Sequence, residues 1–406
     1  MTLWAFLSQV LDSDKSCRNA VSRVISWLAS AGEAVPSSNT GGYTKAKQRL
    51  KEGVFKRLFH HTGAQMELQA SPETLWCGRH VKILDGSNVS MPDTAANQEA
   101  YPQHSNQAEG CGFPIAKLMV MFSLATGAAV GVLIDRFKTS ELVLAREIYG
   151  LLNAGDVALA DRAFGSYVDL VCVKAQNADA LFRCHQRREC DFQRGKRLGD
   201  DDHIVQWVKP KRCPKHMDTQ AFAQLPATVQ VREVRFQIEQ PGFRTQTVIV
   251  VTTLLDAKTY PKAKIAELYG LRWTVEVDIK HVKTTLNMEV LSGKTPEMVR
   301  KEIYVHLMAY NLLRSLMGQA AQSQAVSALR ISLQGARQHL RNFIAHLAQA
   351  QPKRVHSLYQ TLLQVVGQAI IPERPNRHEP RVRKRRPKAF PLMKQPRSTL
   401  KANLAN

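Results

Sequence analysis

Cysteine, acid and long apolar runs are all in short supply in this chain, and each shortage excludes something. Seven cysteines among 406 residues, with no Cys-x-x-Cys pair, are too few and too irregular for a secreted disulfide framework and fit a reducing cytosol. The group Cys184, His185, Cys190, His203, Cys213 and His216 follows no standard zinc spacing, so ordinary thiols and surface histidines are expected there. One uncharged stretch, Leu118 to Ile134, is flanked by Lys117 and Asp135 and falls just short of the roughly 20 residues that cross a bilayer. Ala125-Thr126-Gly127 interrupts its midpoint, and the β-branched and aromatic residues on both sides read as two short buried strands around a turn. Met1 to Val10 is apolar but has neither a basic lead nor a small-residue cleavage site, which argues against a signal peptide. Acid is outnumbered, 34 Asp+Glu against 56 Lys+Arg, for a net charge of +22. A field of that sign attracts a polyanion, nucleic acid ahead of an anionic membrane. What is plentiful is apolar sequence in short pieces, 44% of residues, enough for folded cores in two or three domains.

Residues 1–60 read as short helices, broken at Ser37 to Gly42 and resuming from Tyr43 to Leu58 with Lys45, Lys47, Arg49, Lys51, Lys56 and Arg57. This region fits either a helical DNA-end-binding module or a solvated basic face. From about residue 78 the period changes to that of strands. Val81 to Leu84 stops at Asp85, Leu118 to Leu124 and Ala129 to Ile134 form a hairpin, and Val157 to Ala160 stops at Asp161. A helix entered at Thr139-Ser140-Glu141 lies between the last two strands. Strand, hairpin, helix, strand predicts an α/β fold with a mixed sheet flanked by helices. Residues 185–255 read as a basic β-rich insertion, and residues 256–350 as helices opened by Pro261. Residues 351–406 form a basic tail whose run Arg381 to Lys388 is expected to be extended and to order only on phosphate or on its own protein. On this division, residues 61–184 carry the first part of the α/β core.

The chemistry is carried by Tyr269, Arg272, Glu276 and Lys283. On a helix turning about 100° per residue, the four project within an arc of about 60°. A stripe of one carboxylate, two cations and a phenol is not expected on a core face. It suits a surface that holds both a metal and a phosphate backbone, the alternative being a solvated helix face. Asp85 and Asp161 taken singly read as turn or capping residues. Together, at the ends of neighbouring strands and with a third carboxylate from a later helix, they form a set that suits Mg²⁺, a hard ion held by a few carboxylates plus phosphate oxygens. Two such ions about 4 Å apart stabilise the attacking and leaving oxygens of an in-line displacement at phosphorus. Asp93, Asp135 and Asp156 are weaker candidates, in loops or on the entering side of strands.

The run Tyr269-x2-Arg272-x3-Glu276-x6-Lys283 resembles the signature of the fourth insertion-sequence family of bacterial transposases. Leu84-Asp85-Gly86-Ser87 resembles that family's first acid motif, Ala160-Asp161-Arg162-Ala163-Phe164 its second, and Glu379 to Lys388 its close. The resemblance spans nearly the whole chain. It implies a ribonuclease-H-like core, an all-helical end-binding region, and a cut-and-paste reaction on double-stranded DNA. Asp85, Asp161 and Glu276 would then be metal ligands for Mg²⁺, with Mn²⁺ as a substitute. Tyr269, Arg272 and Lys283 would contact phosphates at the cleaved end, with Trp273 and Arg162 joining the DNA-binding set. Water would open the backbone, and the freed 3′-hydroxyl would form a hairpin that is reopened and joined to target DNA. A base-stacking aromatic from the insertion is also implied, Trp207 being one guess. The resemblance further implies a homodimer on DNA in a bacterial cytoplasm, associated with the nucleoid and away from membrane. Because the chain opens inside a helix-like run, Leu3 to Leu7, where the family usually carries more sequence, an incomplete end-binding region is expected. A structure-selective Mg²⁺ nuclease and a non-catalytic DNA-binding relative are the competing functions. The nuclease would cut without joining, and the binding protein would be indifferent to loss of the acids.

Overall fold

Four helices open the chain in the computed structural model, which describes residues 1–238, 246–372 and 391–405. These are α1 (Thr2–Leu11), α2 (Cys17–Ser30), α3 (Thr40–Arg49) and α4 (Glu52–Leu68). The expected break at Ser37 to Gly42 is shorter than the sequence suggested. The Asn39 side chain accepts the Gly41 N–H at 2.7 Å and starts α3 at Thr40, so Gly41 and Gly42 sit in the first helical turn. Capping supplies what the glycines lack in propensity. The basic run Arg381 to Lys388 lies outside the described residues.

The strands and helices that follow are β1 (Val81–Ser90), α5 (Ala95–Ala100), β2 (Ile115–Ser123), β3 (Ala129–Arg136), α6 (Glu141–Ile148), β4 (Val157–Ala160), α7 (Tyr167–Lys174) and β5 (Asp179–Arg183). The β-rich segment adds β6 (Lys196–Gly199), β7 (Asp202–Val208), α8 (Thr219–Ala223), β8 (Thr228–Ile238) and β9 (Gln246–Thr252). Helices complete the chain: α9 (Lys262–Gly270), α10 (Thr274–Lys280), α11 (Pro296–Gln324), α12 (Leu333–Gln349), α13 (Pro352–Gln368) and α14 (Arg397–Ala405). No helix among the described residues is long and apolar enough to cross a membrane. The uncharged stretch around residue 125 is a hairpin, turned by Gly127 at φ +68° with its N–H on Ser123 O at 2.9 Å.

All nine strands form one mixed sheet in the order β3-β2-β1-β4-β5-β9-β8-β7-β6. β1, β4 and β5 run parallel and every other pairing is antiparallel. The β-rich segment therefore prolongs the core sheet: β9 pairs with β5, through Leu181↔Thr252 and Arg183↔Val250. One face of the core carries Val81, Ile83, Val89, Leu159 and Leu181 and packs with α4, α9 and α11. The opposite face carries Leu84, Ala158, Ala160 and Phe182 and packs with α6 and α7. Alternation along the strands assigns each residue to its face.

Candidate active site

Asp85 was expected at the end of its strand, but β1 continues past it to Ser90. β2 pairs along the whole length, Lys82↔Ser123 through Ser90↔Ile115, whereas β4 pairs only from Val81 to Ile83. Asp85 thus sits mid-strand, at the notch where its parallel neighbour has run out. Two further steps along the Ile83↔Leu159 register set Asp85 beside Asp161, whose backbone is still extended at ψ 179°. One further step along Ala160↔Phe182 sets Asp161 beside Arg183. The three residues form a row across β1, β4 and β5. Alternation puts all of them on the face shared with Ile83, Leu159 and Leu181, over which α9 and α10 lie.

The signature residues approach that row from above, and two expectations about them change. The segment is not one regular helix. α9 ends at Gly270, a 3₁₀ turn spans Leu271–Trp273, α10 follows, and a π-turn covers His281–Thr285. Nor is the stripe excluded from the core: Tyr269 is 1% exposed and Arg272 8%, and Tyr269 packs with Ile265, Leu268 and Phe236. The sheet below explains this, since a polar stripe is buried where the opposing surface supplies partner charges. Lys283 lines a small cavity with Ser87, two residues beyond Asp85 on the same face of β1. Trp273 is half-buried, with the Arg272 guanidinium 5.0 Å from its ring centre and the Tyr269 ring at 6.2 Å. Arg162 is exposed and donates to Gln186 Oε1 at 3.1 Å.

Electrostatics link Asp85 to the helix above it. Burial pushes the Asp85 carboxyl up to about 6; the Gly86 N–H and Arg272 oppose the rise, and Glu276 and Glu141 add to it. Its Oδ1 accepts the Gly86 N–H at 2.8 Å. Glu276, with a side chain 56% exposed, is paired with Arg272 Nη2 at 3.5 Å. Among the described residues no three His, Cys, Asp or Glu side chains are gathered closely enough to cage a metal ion. The donor chemistry still suits a hard cation: the register sets Asp85 beside Asp161, and the Asp85 carboxyl, raised by burial first, lies within the fields of Glu276 and Glu141.

Two residues of this site escaped the sequence reading. Glu141 was read only as a helix-capping acid, yet its carboxylate lies over Gly86, where a Cβ would come within 2.9 Å of Oε1. Arg183 closes an apolar strand, and its position beside Asp161 depends on sheet order, which no local pattern encodes. The weaker candidates serve local turns: Asp93 accepts from Gln98, Asp135 from the Arg136 N–H and Asp156 from the Asn153 N–H. Trp207 is 3% exposed and donates to Glu233 Oε1 at 2.8 Å beneath Arg188, so its ring is not free to stack on a base. In the cysteine-rich segment Cys184 and Cys190 bring their sulfurs to 3.6 Å, while His203 binds Glu233 Oε2 at 2.9 Å.

Comparison with known proteins adds the family. The chain is 25% identical over 394 residues to the transposase InsG of insertion sequence element IS4 from Escherichia coli strain K12, covering 96% of this chain and 86% of that protein. It is 29% identical over 269 residues to the transposase of element IS421 from Escherichia coli, covering 58% of this chain and 65% of that protein. A solved piggyBac transposase synaptic complex with hairpin DNA aligns at a TM-score of 0.37 and 8% identity, over 70% of this chain and 57% of that one. The transposase DDE domain matches residues 76–312, from the bridge before β1 to the middle of α11, and so encloses the whole row of acids. The chain belongs to the transposase DDE domain family, whose members are DNA endonucleases and transferases.

Proposed function

We propose that this protein cuts and rejoins DNA at the ends of an insertion sequence, with Asp85, Asp161 and Glu276 as the carboxylates of a two-cation site. The observation that carries this reading is the register that sets Asp85 beside Asp161 under the helix bearing Glu276. Divalent cations, Mg²⁺ or Mn²⁺, would be held by these three residues and would supply charge stabilisation at the scissile phosphate. The chain itself supplies the rest. Arg272 and Lys283 bring fixed positive charge to the same face, and the Tyr269 hydroxyl, buried at the foot of that face, is kept protonated because burial pushes it up to about 12. It is thereby a hydrogen-bond donor to a phosphate oxygen at neutral pH. Glu276 pairs with Arg272 and adds its field to that of Asp85. A phosphate that takes Arg272 as its partner frees the carboxylate to turn toward Asp85.

On this reading the reaction proceeds by cleavage at the element's end, hairpin formation by the freed 3′-hydroxyl, reopening, and joining to target DNA. A dimer on DNA would bring two ends together. The test is a strand-transfer assay with oligonucleotides carrying the inverted repeats that border the gene. Cleaved and joined products with Mg²⁺ are expected from the wild type. Asp85→Ala, Asp161→Ala and Glu276→Ala should lose cleavage while keeping DNA affinity within a few-fold. Cleavage without joined products would overturn the transposition reading in favour of a nuclease. Unaltered DNA processing in the three variants would overturn the metal site.

A further inference from the structure

Cys184 directly follows β5, and its backbone N–H is bound by Ile249 O of β9 at 2.8 Å. The loop that leaves β5 brings Cys190 back to it, with the two sulfurs 3.6 Å apart. Both are free thiols, as are the other five cysteines of the chain. Bonded sulfurs stand about 2 Å apart, so this pair lacks only an approach of about 1.5 Å. Cys184 is buried and tied to the sheet. Cys190 is half-buried on a loop folded by local turns, Arg188 N–H to His185 O at 2.9 Å and Arg194 N–H to Asp191 O at 3.1 Å. The loop is therefore the side that moves to close the gap.

The two thiols also differ chemically. The Cys190 S–H donates to the Cys184 sulfur, and with the Arg188 guanidinium and the His185 N–H it holds the Cys184 thiol below the usual cysteine range, against burial. The same bond, burial and the Glu233 carboxylate push the Cys190 thiol up. One sulfur is thus the readier thiolate and its neighbour keeps a proton, which is how a reactive cysteine stands beside a resolving one.

We propose that Cys184 and Cys190 form a dithiol modification site for hydrogen peroxide, in which Cys184 reacts first and Cys190 closes a disulfide. The Cys184 thiolate attacks one peroxide oxygen and the O–O bond breaks. Hydroxide leaves with the electron pair and takes a proton from solvent, and Cys184 becomes a sulfenic acid. The Cys190 sulfur then attacks the Cys184 sulfur. The S–O bond breaks, the S–S bond forms, and the departing hydroxide takes the Cys190 proton. Two thiols are oxidised, one peroxide is reduced, and two waters are released. Cys184 is 8% exposed, which favours an oxidant as small as peroxide over a bulky disulfide. In a reducing cytosol, small thiols reverse the bond by exchange, so it forms only while oxidant is present. The loop it closes carries Gln186, which accepts from Arg162 Nη1 at 3.1 Å, one residue past Asp161. The thiol chemistry is independent of DNA cleavage.

The test treats the full chain, reduced and then freed of reductant, with hydrogen peroxide, alkylates it under denaturing conditions and digests it with trypsin. Cuts after Arg183, Arg187, Arg188 and Arg194 place the two cysteines on separate peptides, 184–187 and 189–194. The expected product is those peptides joined and two hydrogens lighter than their sum, with two of the seven thiols lost and both recovered by dithiothreitol. Cys190→Ser should stop at a sulfenic acid on Cys184, trapped by dimedone. Cys184→Ser should leave Cys190 oxidised about tenfold more slowly. The wild-type mapping needs no substitution, so a variant that folds poorly does not decide the result. Both peptides fully alkylated at a dose that oxidises other cysteines of the chain would overturn the site, as would linkage of either to a third cysteine. Oxidation of Cys190 at an undiminished rate in Cys184→Ser would overturn the order of attack.

Discussion

Arg232 and Asp202 bind each other through two parallel contacts across β7 and β8, Nε to Oδ1 at 2.7 Å and Nη2 to Oδ2 at 2.5 Å. Arg232 is wholly buried, and its third nitrogen, Nη1, reaches Tyr260 O at 2.6 Å, one residue before the proline that opens α9. The pair thus fastens the sheet extension to the base of the segment that carries Tyr269, Arg272 and Glu276. Removing one partner leaves a buried charge without compensation. Arg232→Ala should cost about 3–5 kcal/mol, and an apolar replacement of both partners should cost much less. Denaturant melts of the two single variants and the double variant decide this. A double variant that loses the sum of the two single losses would show that the residues act independently and that the pair is not the fastening.

Asp85 makes the apo protein's stability depend on pH in a defined direction. Its carboxyl sits at about 6 in the fold against 3.8 when free, so the folded state binds the proton more tightly. Stability is therefore lost as pH rises from about 4 to about 6, and the full penalty is present above that window. Asp85→Asn removes the penalty. In EDTA it should be more stable than wild type by on the order of 2 kcal/mol near neutral pH, with little difference near pH 4. Thermal melts at the two pH values check it, and a variant no more stable at neutral pH would mean that the carboxylate is well solvated.

Gly165 should tolerate no side chain. A Cβ there would meet the carbonyl oxygen of Arg183 at 2.2 Å, and backbone cannot swing aside as a flexible side chain can. Gly165→Ala is expected to lose about 1–3 kcal/mol. It should lose more activity than that stability loss explains, since the turn carrying Asp161 must shift from β5. Gly150→Ala, which meets nothing within 4 Å, is the matched control. If Gly165→Ala melts and cuts like the control, the turn is more pliant than its packing indicates.

Trp207 should act on stability alone. Trp207→Phe leaves Glu233 Oε1 without its indole donor and should cost about 1–3 kcal/mol. Base unstacking at the element's end, read by 2-aminopurine fluorescence, should be unchanged. Loss of that signal without a change in melting temperature would put the ring on the DNA after all.

Much of the fold could be read locally. Helices entered at Ser140, Pro261 and Pro296, and strands ending near Asp161, follow from caps, prolines and hydrophobic period, each set within a few residues of chain. The spacing of Tyr269, Arg272, Glu276 and Lys283 was enough for a family resemblance, because identity at fixed intervals survives the 3₁₀ and π distortions that spoil a helical wheel. Burial was misjudged for the same stripe. Polarity suggested solvent, and only the opposing sheet, with Asp85 within the field of Arg272 and Asp161 within that of the Tyr269 hydroxyl, makes burial of a phenol and a guanidinium tolerable.

Residue identities and intervals thus determined the acid set, the signature and the basic charge, all of which are properties of the chain in one dimension. Tertiary structure alone decided that β1 runs past Asp85, that β9 joins the core sheet against β5, and that Arg183 stands beside Asp161. Those facts depend on which strands become neighbours. Strand pairing joins segments far apart in sequence and is selected by the packing of the whole sheet, so no local window contains it.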